Sequence, residues 1–256
     1  MKISITLTAI ILIVISFSFN YNIYAQEITI GKQSWASTNL NITTFRNGDS
    51  IPEAKTVAEW TIAGNSKKPV WCYYENDPVN AKKYGKLYNW YAVSDLRGLA
   101  PYGWHVPNDN DWTILIATIG DEEDAGSKMK SLTGWVPIVI KGGEIIPCPD
   151  CKNWNAEYRR KVPCHGCKDT RDSGKRTPDT ELSGNGTNLS GFGGLPGGFR
   201  DSAGTFGLFG RMGYWWSSTS VKSINAWTRY LGYDENRVTR HDEGKRNGLS
   251  VRCIKN

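Results

Sequence analysis

The sequence predicts an α+β domain with few helices, short strands and long ordered loops. Three observations predict it. Asp109 to Ile119 carries the clearest helical pattern in the chain. Glu27 to Asn39 and Val70 to Tyr74 read as short strands. Beyond Gly184 the chain becomes rich in glycine and large aromatics, with 12 of the 27 glycines between Gly184 and Asp234. That density suits short strands and tight turns pinned by buried rings, not helices.

The chain opens with Lys2, an apolar run from Ile3 to Phe19, and a polar stretch ending Ile23-Tyr24-Ala25. This is the layout of a secretory signal peptide over residues 1–25, cleaved after Ala25. The competing reading is a membrane anchor. Ser and Thr interrupt the run, however, and no positive cluster follows it. No Cys stands at the cleavage site to carry a lipid. The expectation is a secreted, periplasmic or cell-surface protein with no membrane span after cleavage. Removing 25 of 256 residues leaves 231, covering residues 26–256. The formal charge of +6 falls to +5 once Lys2 is lost. Acidic and basic residues are interspersed, so no face is set aside for nucleic acid.

In chain order, Ile28 and Ile30 precede the turn Gly31-Lys32 and then Trp35, a strand–turn–strand pattern. Asn47-Gly48-Asp49 marks a turn. Val70 to Tyr74 is a strand, followed by the polar loop Glu75 to Pro78. Tyr84 to Tyr91 is aromatic on both parities and reads as a buried strand or the start of a short helix. The helix at Asp109 to Ile119 follows Pro107 and is capped by Asn108 or Asp109. It places Trp112, Leu115, Ile116 and Ile119 on one face. A second short helix is expected from Asp124 to Leu132. From Val136 to Leu182 (136–182) the chain is more charged, holds four of the six cysteines and reads as an insertion. There is no internal repeat.

Several blocks occur in a specific order. Trp71-Cys72-Tyr73-Tyr74-Glu75-Asn76-Asp77 is followed by Tyr84-Gly85-Lys86-Leu87-Tyr88-Asn89-Trp90-Tyr91-Ala92-Val93. Gly103-Trp104-His105-Val106-Pro107 comes next, with Asp111-Trp112 and Leu115. Gly191-Phe-Gly-Gly-Leu-Pro-Gly-Gly-Phe-Arg-Asp201, Tyr214-Trp-Trp-Ser-Ser-Thr219 and Gly248-Leu-Ser-Val-Arg-Cys253 close the set. This order resembles the Fibrobacter succinogenes major paralogous domain, a family of exported bacterial proteins without an established biochemical role. More distantly it is similar to the formylglycine-generating-enzyme domain, a variant of the C-type-lectin-like fold. The resemblance implies short antiparallel strands, extensive irregular structure and termini held close together.

The formylglycine-generating enzymes oxidise a substrate cysteine with a Cys pair upstream of a closing Arg-Cys. The matching interval here, Arg229 to Arg246, holds no Cys. Cys253 corresponds to a structural position, and no catalytic residue is assigned. Cys72 and Cys253 fall in the blocks that carry the resemblance. In an exported protein they are natural disulfide partners, the alternative being two buried free thiols. Such a bridge would close a loop of roughly 180 residues and contribute about 4–5 kcal/mol by chain entropy.

Two further Cys-x-x-Cys knuckles, Cys148-Pro-Asp-Cys151 and Cys164-His-Gly-Cys167, lie in the insertion. Their spacing suits one structural zinc held by four thiolates, with two disulfides as the alternative. The segment resembles the DnaJ-type zinc module but has only two knuckles, and Lys152 and Lys168 replace the glycines that usually follow. Between the knuckles, Tyr158-Arg159-Arg160-Lys161 is either a solvated loop or an anionic contact. Calcium could use the oxygen-rich runs Asn108-Asp109-Asn110-Asp111 and Glu75-Asn76-Asp77, though neither follows an EF-hand pattern. Helix capping and turn formation account for the first run without metal.

Eleven Trp residues serve either as core indoles or as platforms for sugar rings. The functional expectation is an exported non-catalytic binding or structural module whose partner is a carbohydrate or protein at the cell surface. A ligand site would involve loops around Trp215, Trp216, Trp227 and Arg229, with the core as the competing destination for Trp215 and Trp216. The alternative function is a peptide-modifying oxidoreductase related to the formylglycine-generating enzymes.

Overall fold

A computed structural model describes residues 26–140 and 180–256. The alternation at the start of this range forms a hairpin. Strands β1 (Glu27–Ile30) and β2 (Gln33–Ala36) pair antiparallel, with Ile28 opposite Trp35. Gly31 turns the chain at φ +61, and a Cβ there would meet Thr118 Cγ2 at 2.5 Å. Glycine is therefore required both by the backbone and by the close approach.

Helix α1 (Val57–Asn65) has little amphipathic period, so hydrophobic spacing did not reveal it. Its signature is instead a capping box: Thr56 Oγ1 accepts from Glu59 N, and Glu59 Oε2 accepts from Thr56 N. Strand β3 (Trp71–Cys72) is shorter than the expected Val70 to Tyr74. The aromatic block that follows contains both of its anticipated forms. After the single turn α2 (Ala81–Tyr84) come strand β4 (Leu87–Asn89) and helix α3 (Trp90–Val93). The switch occurs at Asn89, whose Oδ1 accepts from Ala92 N and caps α3.

Strand β5 (Trp104–His105) leads into α4 (Asp109–Ile119), which has the predicted bounds and buries Trp112, Leu115 and Ile116. Helix α5 (Ala125–Met129) ends before the expected Leu132, because the chain turns extended at Lys130. Strands β6 (Ile138–Ile140) and β7 (Thr180–Leu182) pair antiparallel at the borders of the expected insertion. The four cysteines and the basic stretch between them lie outside the described residues.

The glycine-rich half supplies β8 (Phe199–Arg200), β9 (Phe206–Gly207), β10 (Met212–Ser220), β11 (Asn225–Gly232), β12 (Val238–Gly244), β13 (Gly248–Leu249) and β14 (Ile254–Lys255). The strands form sheets in the orders β1-β2-β14-β5, β3-β4-β13-β8-β9, β10-β11-β12 and β6-β7. The paired strands within them run antiparallel. With few helices beside these sheets, the described chain is α+β. Ile254 of β14 pairs with Trp35 of β2, so the last strand lies beside the first hairpin.

Much of the tryptophan load is core. Trp35, Trp60, Trp112, Trp215 and Trp216 are fully buried. Beside these indoles the interior holds cations. Arg252 is 0% exposed and lies over the Phe192 ring at 4.5 Å. Its Nη1 donates to Phe192 O (2.7 Å) and Ala36 O (3.1 Å), while Nε and Nη2 donate to Asn39 Oδ1. Arg200, equally buried, has its guanidinium 4.8 Å from the Trp60 ring and 4.7 Å from Phe206, and donates to Ala54 O and Gly204 O. Lys130 Nζ reaches the carbonyls of Gly232 and Glu235. Lys245 Nζ reaches Ser220 Oγ and Lys222 O, over the Trp90 ring.

A buried charge is tolerable when fixed dipoles replace its water. Here backbone carbonyls and aromatic faces do so. Burial still draws the Arg252 guanidinium down to about 9. These cations tie irregular loops together: Arg252 alone links the end of β2, Asn39 and the loop at Phe192.

Candidate functional site

A polar surface left partly open lies where β11 and β12 meet the N-terminus of α4. Alternation along β11 puts Trp227 and Arg229 on one face. Arg240 stands directly opposite Arg229 on β12. Two arginines side by side would repel each other without a shared counterion, and Asp109, the first residue of α4, supplies it. Arg229 Nη1 donates to Asp109 Oδ1 at 2.8 Å, and Arg240 Nη2 donates to Asp109 Oδ2 at 2.9 Å. Burial opposes ionisation of Asp109, but the hydrogen bonds from Arg240 and Arg229 outweigh it and hold the carboxyl below its ordinary value.

The two arginines differ in access. The Arg229 side chain is 2% exposed and that of Arg240 is 37% exposed. Burial lowers the Arg229 pKa, and its bond to Asp109 opposes that shift. Arg240 lies over Trp227, its guanidinium carbon 3.2 Å from the ring centroid. Trp227 is half-buried. The patch therefore presents a half-buried indole beneath a guanidinium that the Asp109 carboxylate holds in place, a pairing suited to planar or ring-shaped polar ligands.

The α4 cap continues the patch. Asn108 Oδ1 accepts from Asn110 N and Asp111 N, and Asp111 Oδ2 accepts from Asn108 N. His105 bridges Asn256 Oδ1 (2.8 Å) and Asp111 Oδ2 (3.3 Å). Asn108 Oδ1, both carboxylate oxygens of Asp109 and Asp111 Oδ2 are thus engaged by protein donors. In the second oxygen-rich run, Asp77 Oδ1 accepts from Val79 N, and Glu75 and Asn76 adopt positive φ. Among the described residues no three His, Cys, Asp or Glu side chains group as metal ligands.

Of the four residues expected around a ligand, the structure brings only Trp227 to the surface. Trp215 and Trp216 lie on β10 in the core. Trp215 Nε1 donates to Asn39 Oδ1 (2.9 Å) and Trp216 Nε1 to Tyr88 O (2.8 Å). Arg229 is buried behind Asp109. Sequence reasoning missed Arg240, the exposed partner. The signal that could have found it is cross-strand: in a β11–β12 hairpin, the residue opposite Arg229 shares its face.

The expected Cys72–Cys253 bridge is not formed, and both are buried free thiols. They pack into different apolar clusters. Cys72 lies with Trp60 and Tyr74, whereas Cys253 lies with Tyr88 and Val106. Burial pushes both thiols up to about 12. A thiol so placed is a small apolar side chain, not a nucleophile.

The family model described as the Fibrobacter succinogenes major domain matches residues 28–255. The chain belongs to that family, whose function is unknown. No curated protein and no solved structure matches it.

Proposed function

We propose that this member of the Fibrobacter succinogenes major domain family is an exported, non-catalytic binding module of C-type-lectin-like architecture. Its ligand is a carbohydrate or protein at the cell surface, met at Trp227 and Arg240. One contrast carries the reading. The groups best suited to chemistry, Cys72, Cys253, Arg200 and Arg252, are buried among core partners, while the Trp227–Arg240 stack stays partly open on a rigid sheet. The first hairpin lying beside the last strand, and antiparallel sheets joined by long loops, support the architectural part.

The test uses the purified mature chain against a panel of cell-surface oligosaccharides and envelope proteins, read by calorimetry. Binding that disappears in Trp227→Ala and Arg240→Ala, with the fold retained, supports the proposal. Conversion of peptidyl cysteine to formylglycine under oxygen would replace it with the oxidoreductase reading.

The leader and the cysteines of the insertion add two proposals, both resting on sequence spacing. Cleavage after Ala25 predicts a mature protein beginning at Gln26, checked by N-terminal mass spectrometry. Cys148, Cys151, Cys164 and Cys167 would hold one structural zinc with no open coordination position. Release of zinc together with four free thiols on chelation supports that site, and two disulfides in the native protein would exclude it.

A further inference from the structure

Among the buried cations, Lys86 has a distinctive partner. Lys130 and Lys245 give their ammonium protons to carbonyls and a hydroxyl. Lys86 Nζ instead meets the carboxamide oxygen of Asn41, and also approaches the Asn41 backbone carbonyl at 3.5 Å. A carboxamide carbon is an electrophile, and an amine held against it in a fixed pose is a candidate nucleophile.

The backbone fixes the pose. Lys86 N donates to Leu40 O at 3.1 Å, and Asn39 Nδ2 donates to Tyr84 O at 2.9 Å. Gly85, at φ +73, lets the segments touch, since a Cβ there would lie 2.7 Å from Leu40 O. Lys86 is 3% exposed, with Nζ 4.6 Å from the Trp71 ring centroid and 4.8 Å from that of Tyr73. Burial lowers its pKa, and the charge of Glu53 opposes this. The amide end is placed differently. Asn41 is exposed, and its Nδ2 reaches the Ala81 carbonyl at 3.4 Å. The nucleophile is thus desolvated while the leaving group has a route to water.

We propose that Lys86 and Asn41 form an intramolecular isopeptide bond. The neutral Nζ forms a bond to Asn41 Cγ, and the carbonyl electron pair moves onto Oδ1. Collapse restores the carbonyl and breaks the Cγ–Nδ2 bond. The proton lost from Nζ passes to the departing nitrogen, which leaves as ammonia. One amide replaces another, so no oxidant, reductant or co-reactant is consumed. The product ties the segment after β2 to the start of β4.

The experiment is peptide mapping of the mature, reduced protein after incubation at neutral pH. Intact mass alone does not decide, because an N-terminal Gln26 also loses ammonia on cyclising. The expected result is a branched peptide joining the Asn41 and Lys86 segments, lighter than its two parts by one ammonia and resistant to trypsin at Lys86. It disappears in Asn41→Ala. Asn41 is exposed, so its variant tests the bond even if Lys86→Met fails to fold. Linear peptides carrying unmodified Asn41 and Lys86 after prolonged incubation would overturn the proposal.

Discussion

The buried cations and the Trp227–Arg240 patch use the same chemistry, a guanidinium against an aromatic ring, for different ends. In the interior Arg252 and Arg200 donate to backbone carbonyls, so each binds two or more loops together. At the β12 edge Arg240 donates, among the described residues, only to Asp109, and its side chain remains 37% exposed. The difference teaches that burial and the identity of the acceptor, not the residue pair, decide whether a cation on an aromatic ring is scaffold or surface. It also explains the composition. A domain with so few regular elements has many loop carbonyls to satisfy, and long cationic side chains reach them.

The largest expected effect comes from breaking the interior. Arg252→Met removes the donors to Asn39, Ala36 O and Phe192 O and strands those acceptors. A loss of about 3–5 kcal/mol, or failure to fold, is expected in urea unfolding. Trp216→Ala leaves a cavity and frees Tyr88 O, and should cost about 3–5 kcal/mol by the same measurement.

Asp109 joins the two regions and sharpens the comparison. Asp109→Ala leaves Arg229 buried without its counterion, at an expected cost of about 3 kcal/mol. Arg240→Ala removes only a part-exposed pair, and screening limits the effect to about 0–1 kcal/mol. A double-mutant cycle over Asp109 and Arg229 should show strong coupling, and one over Asp109 and Arg240 weak coupling.

The smallest effect concerns pH. Cys72 and Cys253 have folded-state pKa values of about 12 against the ordinary 9. Above pH 9 the unfolded chain therefore loses thiol protons that the folded chain keeps. Stability from this source is complete below pH 9 and falls as pH rises toward 12. The melting temperature of Cys72→Ala/Cys253→Ala should decline less between pH 8.5 and 10.5 than that of the parent. In the parent, peptide mapping should find both thiols unreactive toward alkylating reagents until the chain is unfolded.

The fold was legible where one local signal dominates. The hairpin at Gly31 and helix α4 stand where periodicity and capping residues agree. Helix α1 escaped because its pattern lies in the Thr56–Glu59 cap and not in hydrophobic spacing. The aromatic block at Tyr84 to Tyr91 stayed ambiguous because rings on both parities mask the period, and only the Asn89 cap resolves it. The candidate site was legible in part. Trp227 and Arg229 could be singled out from the chain, but Asp109 and Arg240 join them only through tertiary packing and strand register. Trp215 and Trp216 look alike in sequence whether they face water or Asn39 and Tyr88, and burial alone distinguishes the two.

Scaffold cations and the surface cation should differ in what their loss costs the fold. Urea unfolding of Arg252→Met and Arg240→Ala, measured side by side with the parent, tests it most directly. The account predicts a loss of about 3–5 kcal/mol for the first and no more than about 1 kcal/mol for the second. Equal losses, or a larger loss for Arg240→Ala, would contradict it.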